Sequence, residues 1–457
     1  MAGRSHASLP QAPRPAPFFE NATKMTHFFA AARRAAWLAL ASGWWLGAAA
    51  RAADDKPVPV KVQKQAGGKF ELLRGGSPYF IKGGGGSQHL GALQRAGGNS
   101  FRTWGAENLG GLLDEAQRAD LTVASGIWLG HPRHGFRYDD EKSVRGQFDS
   151  TRATIRKFRN HPAILLWGLG NEMEGDGGDA KVWRAINDLA KMAHAEDPNH
   201  PTMTVIAELG KDNIKLEMFR KHCPDVDILG VNSYGGAGSV GERLAKAKFD
   251  RPFVITEFGP RGFWEGPQTP WKAAIEPLPA AKAETYRATY AQGVAGHPGR
   301  CLGSYAFLWG NKQEVTPTWF SLFLPTGEKT EAVDVLTESW TGKPPANRAP
   351  HLTGFEIDAK DAKLAPGSEH KATVTVTDPD GNPLAVRWEI RAESSSHHEG
   401  GDRESEPPAV ADAITQADGT AATFRAPDAP GAYRLFVFAY DGRGAAAAAN
   451  LPFQVAR

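Results

Sequence analysis

The chain has 457 residues, of which 41% are hydrophobic and 23% are charged, and its formal net charge is +2. This composition is typical of a soluble globular protein with room for one large domain and one smaller domain. The nearly balanced charge excludes a strong electrostatic attraction to nucleic acid. The two cysteines, Cys223 and Cys301, form no CxxC motif, which argues against a zinc or redox motif of that type.

The N-terminal region has the pattern of a targeting segment. Residues 33–50 read RRAAWLALASGWWLGAAA, and Ala50-Arg51-Ala52 follows the A-x-A pattern of a cleavage site. The apolar run is shorter than the about 20 residues that a membrane span needs. We therefore expect a cleaved signal peptide within residues 1–52, with Met25 as an alternative start, and a periplasmic or secreted protein without a membrane anchor.

From residue 53 onward, short β-branched or apolar runs alternate with amphipathic stretches, which predicts alternating strands and helices. The candidate strands are residues 79–83, 99–105, 121–130, 163–171, 202–209, 227–234, 252–259 and 302–310. The clearest candidate helices are residues 89–97, 109–119, 181–196 and 213–222. This pattern predicts a (β/α)₈ TIM barrel over residues 53–343. A doubly wound open sheet is the competing fold, but the glycine run at 83–86 lacks the GxGxxG spacing.

The pattern changes after a Pro-rich linker at residues 344–350. Residues 351–457 alternate with a period of two in four runs, at 370–378, 384–392, 420–427 and 431–441. This predicts a small all-β, immunoglobulin-like sandwich with Trp388 in its core. The polar stretch 394–408, which includes His397 and His398, is expected to be a mobile loop, and the whole domain is expected to act as a spacer.

In a TIM barrel, the active site lies where the strands end at the C-terminal face. Two carboxylates, Glu172 and Glu257, stand at the ends of the fourth and seventh predicted strands. The other polar and aromatic candidates at strand ends, which we predict to bind substrate, are Arg102, Trp104, Trp128, His131, Asn171, Asn232, Tyr234 and Trp309.

Two carboxyl groups that face each other across a cleft can cleave a glycosidic bond, because one protonates the leaving oxygen while the other attacks the anomeric carbon. The two must differ in pKa. Arg102 is the natural cationic partner that would keep Glu257 ionised, and Tyr234 could donate a hydrogen bond to the same carboxylate.

The remaining candidates are assigned to the sugar. Asn171 is placed to hydrogen-bond the hydroxyl next to the reacting carbon, and Trp309 to offer an apolar platform for the ring. Trp104 and Trp128 either line sugar subsites or pack in the core. His131 is expected to contact substrate or to support its loop, since no strand-end carboxylate accompanies it as a metal ligand would.

The segment RNHPAILLWGLGNE at residues 159–172 resembles the acid/base segment of family 2 glycoside hydrolases and, more broadly, of the retaining (β/α)₈ glycosidases grouped as clan A. The resemblance extends to NSFRTWG, GVNSY, VITEFG and the Trp of the eighth strand. It implies that Glu172 is the acid/base, that Glu257 is the nucleophile and that the anomeric configuration is retained.

Two departures leave the exact family open, including a family 5-like member. The predicted sandwich follows the barrel, whereas family 2 enzymes usually carry a jelly-roll and a sandwich domain before it. The second strand continues as WGAEN instead of the usual His-Tyr-Pro.

The sequence therefore predicts a retaining β-glycosidase that acts on a carbohydrate substrate and needs no metal or organic cofactor. A transglycosylase would use the same residues, with a sugar hydroxyl in place of water. A catalytically inactive carbohydrate-binding barrel is a third reading, against which the presence of both glutamates argues. A metal-dependent barrel hydrolase is a fourth. The sequence specifies neither the sugar nor the oligomeric state.

Overall fold

The computed structural model describes residues 56–359, 363–396 and 402–456. The predicted signal segment and the His397–His398 pair lie outside these ranges. Within them, every helix is too short or too polar to cross a membrane. A small antiparallel sheet precedes the barrel and consists of β1 (Val60–Lys64), β2 (Phe70–Arg74) and β3 (Ser77–Pro78).

The next eight strands form a closed, fully parallel barrel in chain order, as the sequence predicted. They are β4 (Ile81–Gly85), β5 (Ser100–Arg102), β6 (Thr122–Ile127), β7 (Ile164–Asn171), β8 (Thr202–Ala207), β9 (Ile228–Asn232), β10 (Phe253–Phe258) and β11 (Cys301–Ala306). Pairing of Gly303 with Ile81 and of Ala306 with Gly84 joins the last strand to the first. All eight residues of β7 are buried, because a barrel strand is covered by side chains on one face and by helices on the other.

In the described part of the chain, each barrel strand is followed by one α-helix. These helices are α1 (Leu90–Arg95), α2 (Leu109–Arg118), α3 (Glu141–Phe158), α4 (Ala180–Glu196), α5 (Ile214–His222), α6 (Val240–Lys246), α7 (Pro279–Thr289) and α8 (Glu331–Thr341). Two of them begin at capping aspartates, since Asp140 accepts from the Lys142 amide and Asp179 from the Lys181 amide. The spacing of buried residues along α4 keeps one apolar stripe against the barrel.

The C-terminal region folds into two four-stranded sheets, in the orders β12-β14-β17-β16 and β13-β19-β18-β15. The strands are β12 (His351–Ile357), β13 (Lys363–Leu364), β14 (Glu369–Thr377), β15 (Ala385–Ala392), β16 (Ile414–Asp418), β17 (Ala421–Arg425), β18 (Gly431–Tyr440) and β19 (Ala446–Val455). Trp388 lies in their common core, where its ring meets Phe355 at 5.7 Å. The alanine-rich β19 escaped prediction because most of its residues are buried on both faces, so its sequence does not alternate.

A buried polar network joins these sheets to the barrel. Arg434 of β18 is 1% exposed and donates to the Ala274 carbonyl (2.7 Å) and to Asn450 Oδ1 (2.7 Å). Asn450 of β19 in turn donates to Glu276 Oε2 at 2.6 Å, and Lys282 Nζ pairs with Glu276 Oε1 at 2.7 Å. The C-terminal sheets are therefore packed on the barrel through buried groups that bind one another.

Both cysteines lie in the described part of the chain as free, buried thiols. Burial raises the pKa of each thiol to about 12. The Cys223 Sγ donates to the Trp183 carbonyl and the Cys301 Sγ to the Gly303 carbonyl. These cysteines behave as small apolar core residues.

We expect Arg434→Ala to lower the free energy of unfolding by about 3–5 kcal/mol, because it leaves buried acceptors of the network without their donor. Urea denaturation monitored by Trp fluorescence measures this. Arg387→Ala, an exposed arginine on the neighbouring β15, is the matched control and should change the value by less than about 0.5 kcal/mol. A loss of similar size in both variants would contradict the role assigned to the network.

Candidate active site

The carboxylate of Glu257, near the end of β10, receives hydrogen bonds from three side chains. Arg102 Nη1 donates to Oε1 at 3.0 Å, Trp104 Nε1 donates to the same oxygen at 2.8 Å, and Tyr234 Oη donates to Oε2 at 2.8 Å. The residue is 6% exposed. One cationic and two neutral donors therefore compensate the charge of a carboxylate that water hardly reaches.

Arg102 is held in one orientation by its other contacts. Nη1 also donates to the Thr256 carbonyl at 3.0 Å, and Nη2 donates to Asn171 Oδ1 at 2.6 Å. The guanidinium lies within the barrel mouth at the end of the fully buried strand β5. The planar guanidinium is therefore held with its positive charge next to Glu257. An arginine does this better than a lysine, because its N–H donors have a fixed geometry.

Glu172 follows the last residue of β7 and has a left-handed backbone, with φ of 54°. Its amide donates to the Val205 carbonyl at 2.9 Å, and its Oε1 accepts from Asn232 Nδ2 at 2.7 Å. Burial and the nearby charge of Glu257 raise the pKa of Glu172 to about 7, against the smaller lowering effect of the Asn232 hydrogen bond. At neutral pH this carboxyl is therefore poised to carry and release a proton.

Tyr234 stays protonated at any physiological pH. Burial, with the charges of Glu257 and Glu314 adding to it, raises the pKa of its hydroxyl well above the usual value. A phenol that keeps its proton is a permanent donor to Glu257.

Asn232 connects the carboxylate of Glu172 to the guanidinium of Arg102, which in turn contacts Glu257. Its Nδ2 donates to Glu172 Oε1 and also to Asn171 Oδ1 at 3.1 Å. Its Oδ1 accepts from Thr256 Oγ1 at 2.8 Å and from Arg102 Nη1 at 3.3 Å. The two donors and two lone pairs of the amide are thereby all engaged with protein groups.

His131 makes hydrogen bonds that fit the second of its two predicted roles, the support of its loop. The Arg133 amide donates to Nδ1 at 3.1 Å, so Nε2 carries the proton and donates to the Glu172 carbonyl at 2.7 Å. Burial and the charge of Arg133 lower the pKa of the ring, which keeps it neutral. Nε2 thus supports the backbone at Glu172, while Nδ1 fixes the loop of His131 itself.

Trp309 is 0% exposed and cannot serve as a platform for a sugar ring, which corrects the prediction. Its indole packs between Phe323 (5.3 Å) and Trp340 (5.8 Å) on the outer side of the barrel. The residues before it, Phe307 and Leu308, belong instead to the apolar cluster that contacts Trp104 and Tyr234.

Two exposed indoles lie at the same end of the barrel. Trp128, 41% exposed, lines an open groove of about 500 Å³ with Glu107 and Phe136. Trp264, 55% exposed, meets the Tyr234 ring edge-on at 5.5 Å.

The sequence reasoning missed Trp264, which lies in the loop after β10. Glu265 Oε2 anchors this loop by accepting from the Gly235 and Gly262 amides, both at 2.9 Å. The available signal was the aromatic pair Phe263-Trp264 between glycines, directly after a strand that ends in a candidate nucleophile.

Within the described ranges, no group of three His, Cys, Asp or Glu side chains has the arrangement to hold a metal ion.

Residues 111–269 match the family described as glycosyl hydrolases family 2, TIM barrel domain. This stretch of the barrel is thus similar to the family 2 glycoside hydrolase barrel. The matched range includes both Glu172 and Glu257, so the two carboxyl groups lie in the part of the barrel that carries the similarity.

Individual relatives match different shares of the chain at low identity. A β-glucuronidase of Paenibacillus borealis is 26% identical over 186 residues, which span 35% of this chain and 29% of that protein. A solved β-D-glucuronidase of Dictyoglomus thermophilum is 17% identical, covers 63% of this chain and 54% of its own, and has a TM-score of 0.46. A putative β-galactosidase of Bacteroides fragilis is 16% identical, with 87% and 57% coverage and a TM-score of 0.47. The chain thus spans less than a third of the curated relative.

We expect Glu172→Gln to become more stable relative to the parent as the pH rises. A carboxyl whose folded pKa of about 7 exceeds its unfolded value of 4.5 stabilises the fold fully at low pH and loses this stabilisation as pH rises through 7. The lost free energy of unfolding is up to about 3 kcal/mol, and the glutamine has no proton to lose.

Chemical denaturation of both proteins at pH 5 and pH 8 measures the difference. Glu115→Gln, the same change on the exposed face of α2, is the control and should show no pH-dependent gain. An equal stability difference at the two pH values would show that Glu172 has an ordinary pKa.

Proposed function

We propose that the protein is a retaining β-glycosidase in which Glu172 is the acid/base and Glu257 is the nucleophile. The observation that carries this proposal is the opposite environment of two neighbouring carboxyl groups. Glu257 accepts hydrogen bonds from Arg102, Trp104 and Tyr234. Glu172 accepts from a neutral amide, and its pKa is raised to about 7. Two carboxyl groups in such different environments are typical of the acid and the base of a hydrolytic site.

In the first step, a carboxylate oxygen of Glu257 attacks the anomeric carbon while the carboxylic acid of Glu172 protonates the glycosidic oxygen. The C–O bond to the leaving group breaks, and a glycosyl ester forms on Glu257. In the second step, the Glu172 carboxylate takes a proton from water, whose oxygen attacks the same carbon and releases Glu257. Two inversions give net retention.

The cause of the raised pKa also explains how Glu172 changes role between the steps. The charge of Glu257 is the second largest contribution to that pKa after burial. Formation of the ester removes this charge, so the pKa of Glu172 falls and the residue becomes the base that the second step requires.

The sugar is proposed to lie between the polar groups around Glu172 and Glu257 and the exposed indoles of Trp128 and Trp264. Arg102 and Asn232 both donate to Asn171 Oδ1, which leaves the Asn171 amide nitrogen to donate to the hydroxyl next to the reacting carbon. Trp128 and Trp264 offer aromatic faces to sugar units further out. Because the curated relative is a β-glucuronidase, aryl β-D-glucuronide heads the substrate panel, with the β-galactoside and β-glucoside beside it.

We expect Glu257→Gln to abolish turnover of any aryl β-glycoside that the parent cleaves, by 10³-fold or more, since no nucleophile remains. Glu172→Gln should lose at least about 10²-fold on a phenyl glycoside and much less on a dinitrophenyl glycoside, whose leaving group needs no proton. Initial rates on the panel measure both effects.

Glu115→Gln on α2 is the control and should keep the parental rates. NMR of the first sugar released by the parent should show the β-anomer. If both active-site variants kept parental rates on a cleaved substrate, the assignment of the two glutamates would be wrong.

We expect kcat/KM on a phenyl glycoside to be full below pH 7 and to fall as the pH rises through about 7. The reason is that only the protonated form of Glu172 can donate a proton to the leaving oxygen, and its pKa is about 7. A pH–rate profile from pH 5 to 9 measures it. A rate that stays constant to pH 9 would exclude Glu172 as the acid.

A further inference from the structure

A short segment of the C-terminal region reaches the catalytic face of the barrel. Residues 402–408 connect β15 to β16 and were expected to form part of a mobile loop. Instead, Glu404 is 6% exposed and accepts, through Oε2, from the Val315 amide at 2.7 Å. Val315 lies in the loop that follows β11, so the contact joins the C-terminal sheets to an active-site loop.

The backbone at Val315 has a conformation that needs support. Its φ is 60°, which is rare for a β-branched residue. The Thr316 amide donates to the Glu314 carbonyl across it at 2.7 Å, and the Glu314 amide donates to the Thr316 carbonyl at 3.1 Å. Tight turns of this kind are strained and persist only where the surroundings hold them. The hydrogen bond from the Val315 amide to Glu404 is one of the contacts that stabilise this turn.

The C-terminal region also holds the next residues of the same loop. Thr316 Oγ1 and Thr318 Oγ1 donate to Glu276 Oε2, at 2.5 and 3.2 Å. Asn450 of β19 donates to the same oxygen at 2.6 Å. Asn450 Nδ2 also donates to Thr318 Oγ1 at 3.4 Å. The loop from Glu314 to Thr318 is therefore held by Glu404 and Asn450 of the C-terminal region and by Glu276 of the loop between β10 and α7.

This loop borders the catalytic groups. Val315 packs in the apolar cluster with Phe307 and Leu308, which also contacts Trp104 and Tyr234. Glu314 is buried and paired with Lys312 at 3.1 Å. Burial raises the pKa of Glu314, the ion pair opposes this, and the charges of Glu257 and Glu404 add to the rise. A displacement of the loop would thus change the packing against Trp104 and Tyr234, two of the three donors to Glu257, and the electric field around that carboxylate.

A second contact of the segment supports the other side of the site more weakly. Asp402 pairs with His134 at 3.2 Å and with Arg133 at 3.5 Å, next to the histidine that holds the Glu172 backbone. These groups are partly exposed, and exposed ion pairs contribute little. The buried Glu404 is therefore the decisive residue of the segment.

We propose that Glu404 is a positioning residue of the active site, through which the C-terminal domain holds the 314–318 loop against Tyr234 and the apolar wall beside Glu257. The proposal rests on the proposed function for its catalytic consequence. It gives the C-terminal domain a part in catalysis that a spacer or a separate sugar-binding module would not have.

The test compares Glu404→Ala, which removes the acceptor, with Glu404→Gln, which keeps an oxygen at the same reach. Glu406→Ala is the matched control, because Glu406 lies on the same segment and pairs with the surface Arg391. Hydrogen exchange of peptides covering residues 311–321 reports the loop directly, without any substrate. We expect exchange at least tenfold faster in Glu404→Ala and parental exchange in the other two variants.

The kinetic readout uses the best substrate of the parent. We expect Glu404→Ala to lower kcat/KM by 10- to 100-fold, mostly in kcat, as small misplacements near a reacting centre do. Glu404→Gln should recover it to within about threefold of the parent. The thermal midpoint of each variant, measured under the same conditions, distinguishes a loss of activity in the folded protein from unfolding. If Glu404→Ala does not fold, Glu404→Asp, which is shorter by one methylene, takes its place.

The possible results distinguish a failure of this proposal from a failure of the proposed function. Parental exchange in a folded Glu404→Ala would overturn the proposal, as would faster exchange with unchanged kcat and KM. Failure of the parent to cleave any β-glycoside would overturn the proposed function instead, and the exchange experiment would still decide whether Glu404 holds the loop.

Discussion

The buried ion pair between Arg102 and Glu257 is the interaction on which the rest of the site depends. Removing two charges from water is unfavourable unless their remaining hydrogen-bonding groups are satisfied. Here the second guanidinium nitrogen is satisfied by Asn171, and the second carboxylate oxygen by Tyr234. Asn232, which also contacts the guanidinium, extends this network to Glu172. One connected set of hydrogen bonds therefore fixes a negative charge on one glutamate and places the other within its field.

This arrangement explains how two chemically identical side chains can do different work at one pH. Each lies beside the barrel axis at the end of a parallel strand, and the strands alone would treat them alike. The difference comes from the side chains that other strands and their loops contribute, a cation and two neutral donors at Glu257 and a single amide at Glu172. Because the proton affinity of Glu172 depends on the charge of Glu257, the two residues act as a coupled pair.

Much of the fold follows from local pattern. The eight apolar runs and the helices between them predicted the barrel, and strand ends pointed to both glutamates because parallel strands end at one face. The direction of a side chain beyond the end of a strand could not be predicted, because the alternation of faces ends with the strand. The prediction that Trp309 faces the sugar was wrong for this reason. The hydrogen-bonding groups of His131 and Asn232 are occupied by partners that include residues from distant parts of the chain. Glu404 binds a residue 89 positions away, and no local pattern in the sequence shows such a contact.

The position of β19 has a consequence for biosynthesis. This strand carries Asn450, which binds Glu276 beneath the loop that borders the catalytic groups. The barrel strands leave the ribosome well before β19 does, and domains generally begin to fold in that order. A nascent barrel would therefore have Glu172 and Glu257 in place while the adjoining loop still lacked its anchor. On the proposed function, the site would be complete only after β19 has been translated and has docked on the barrel.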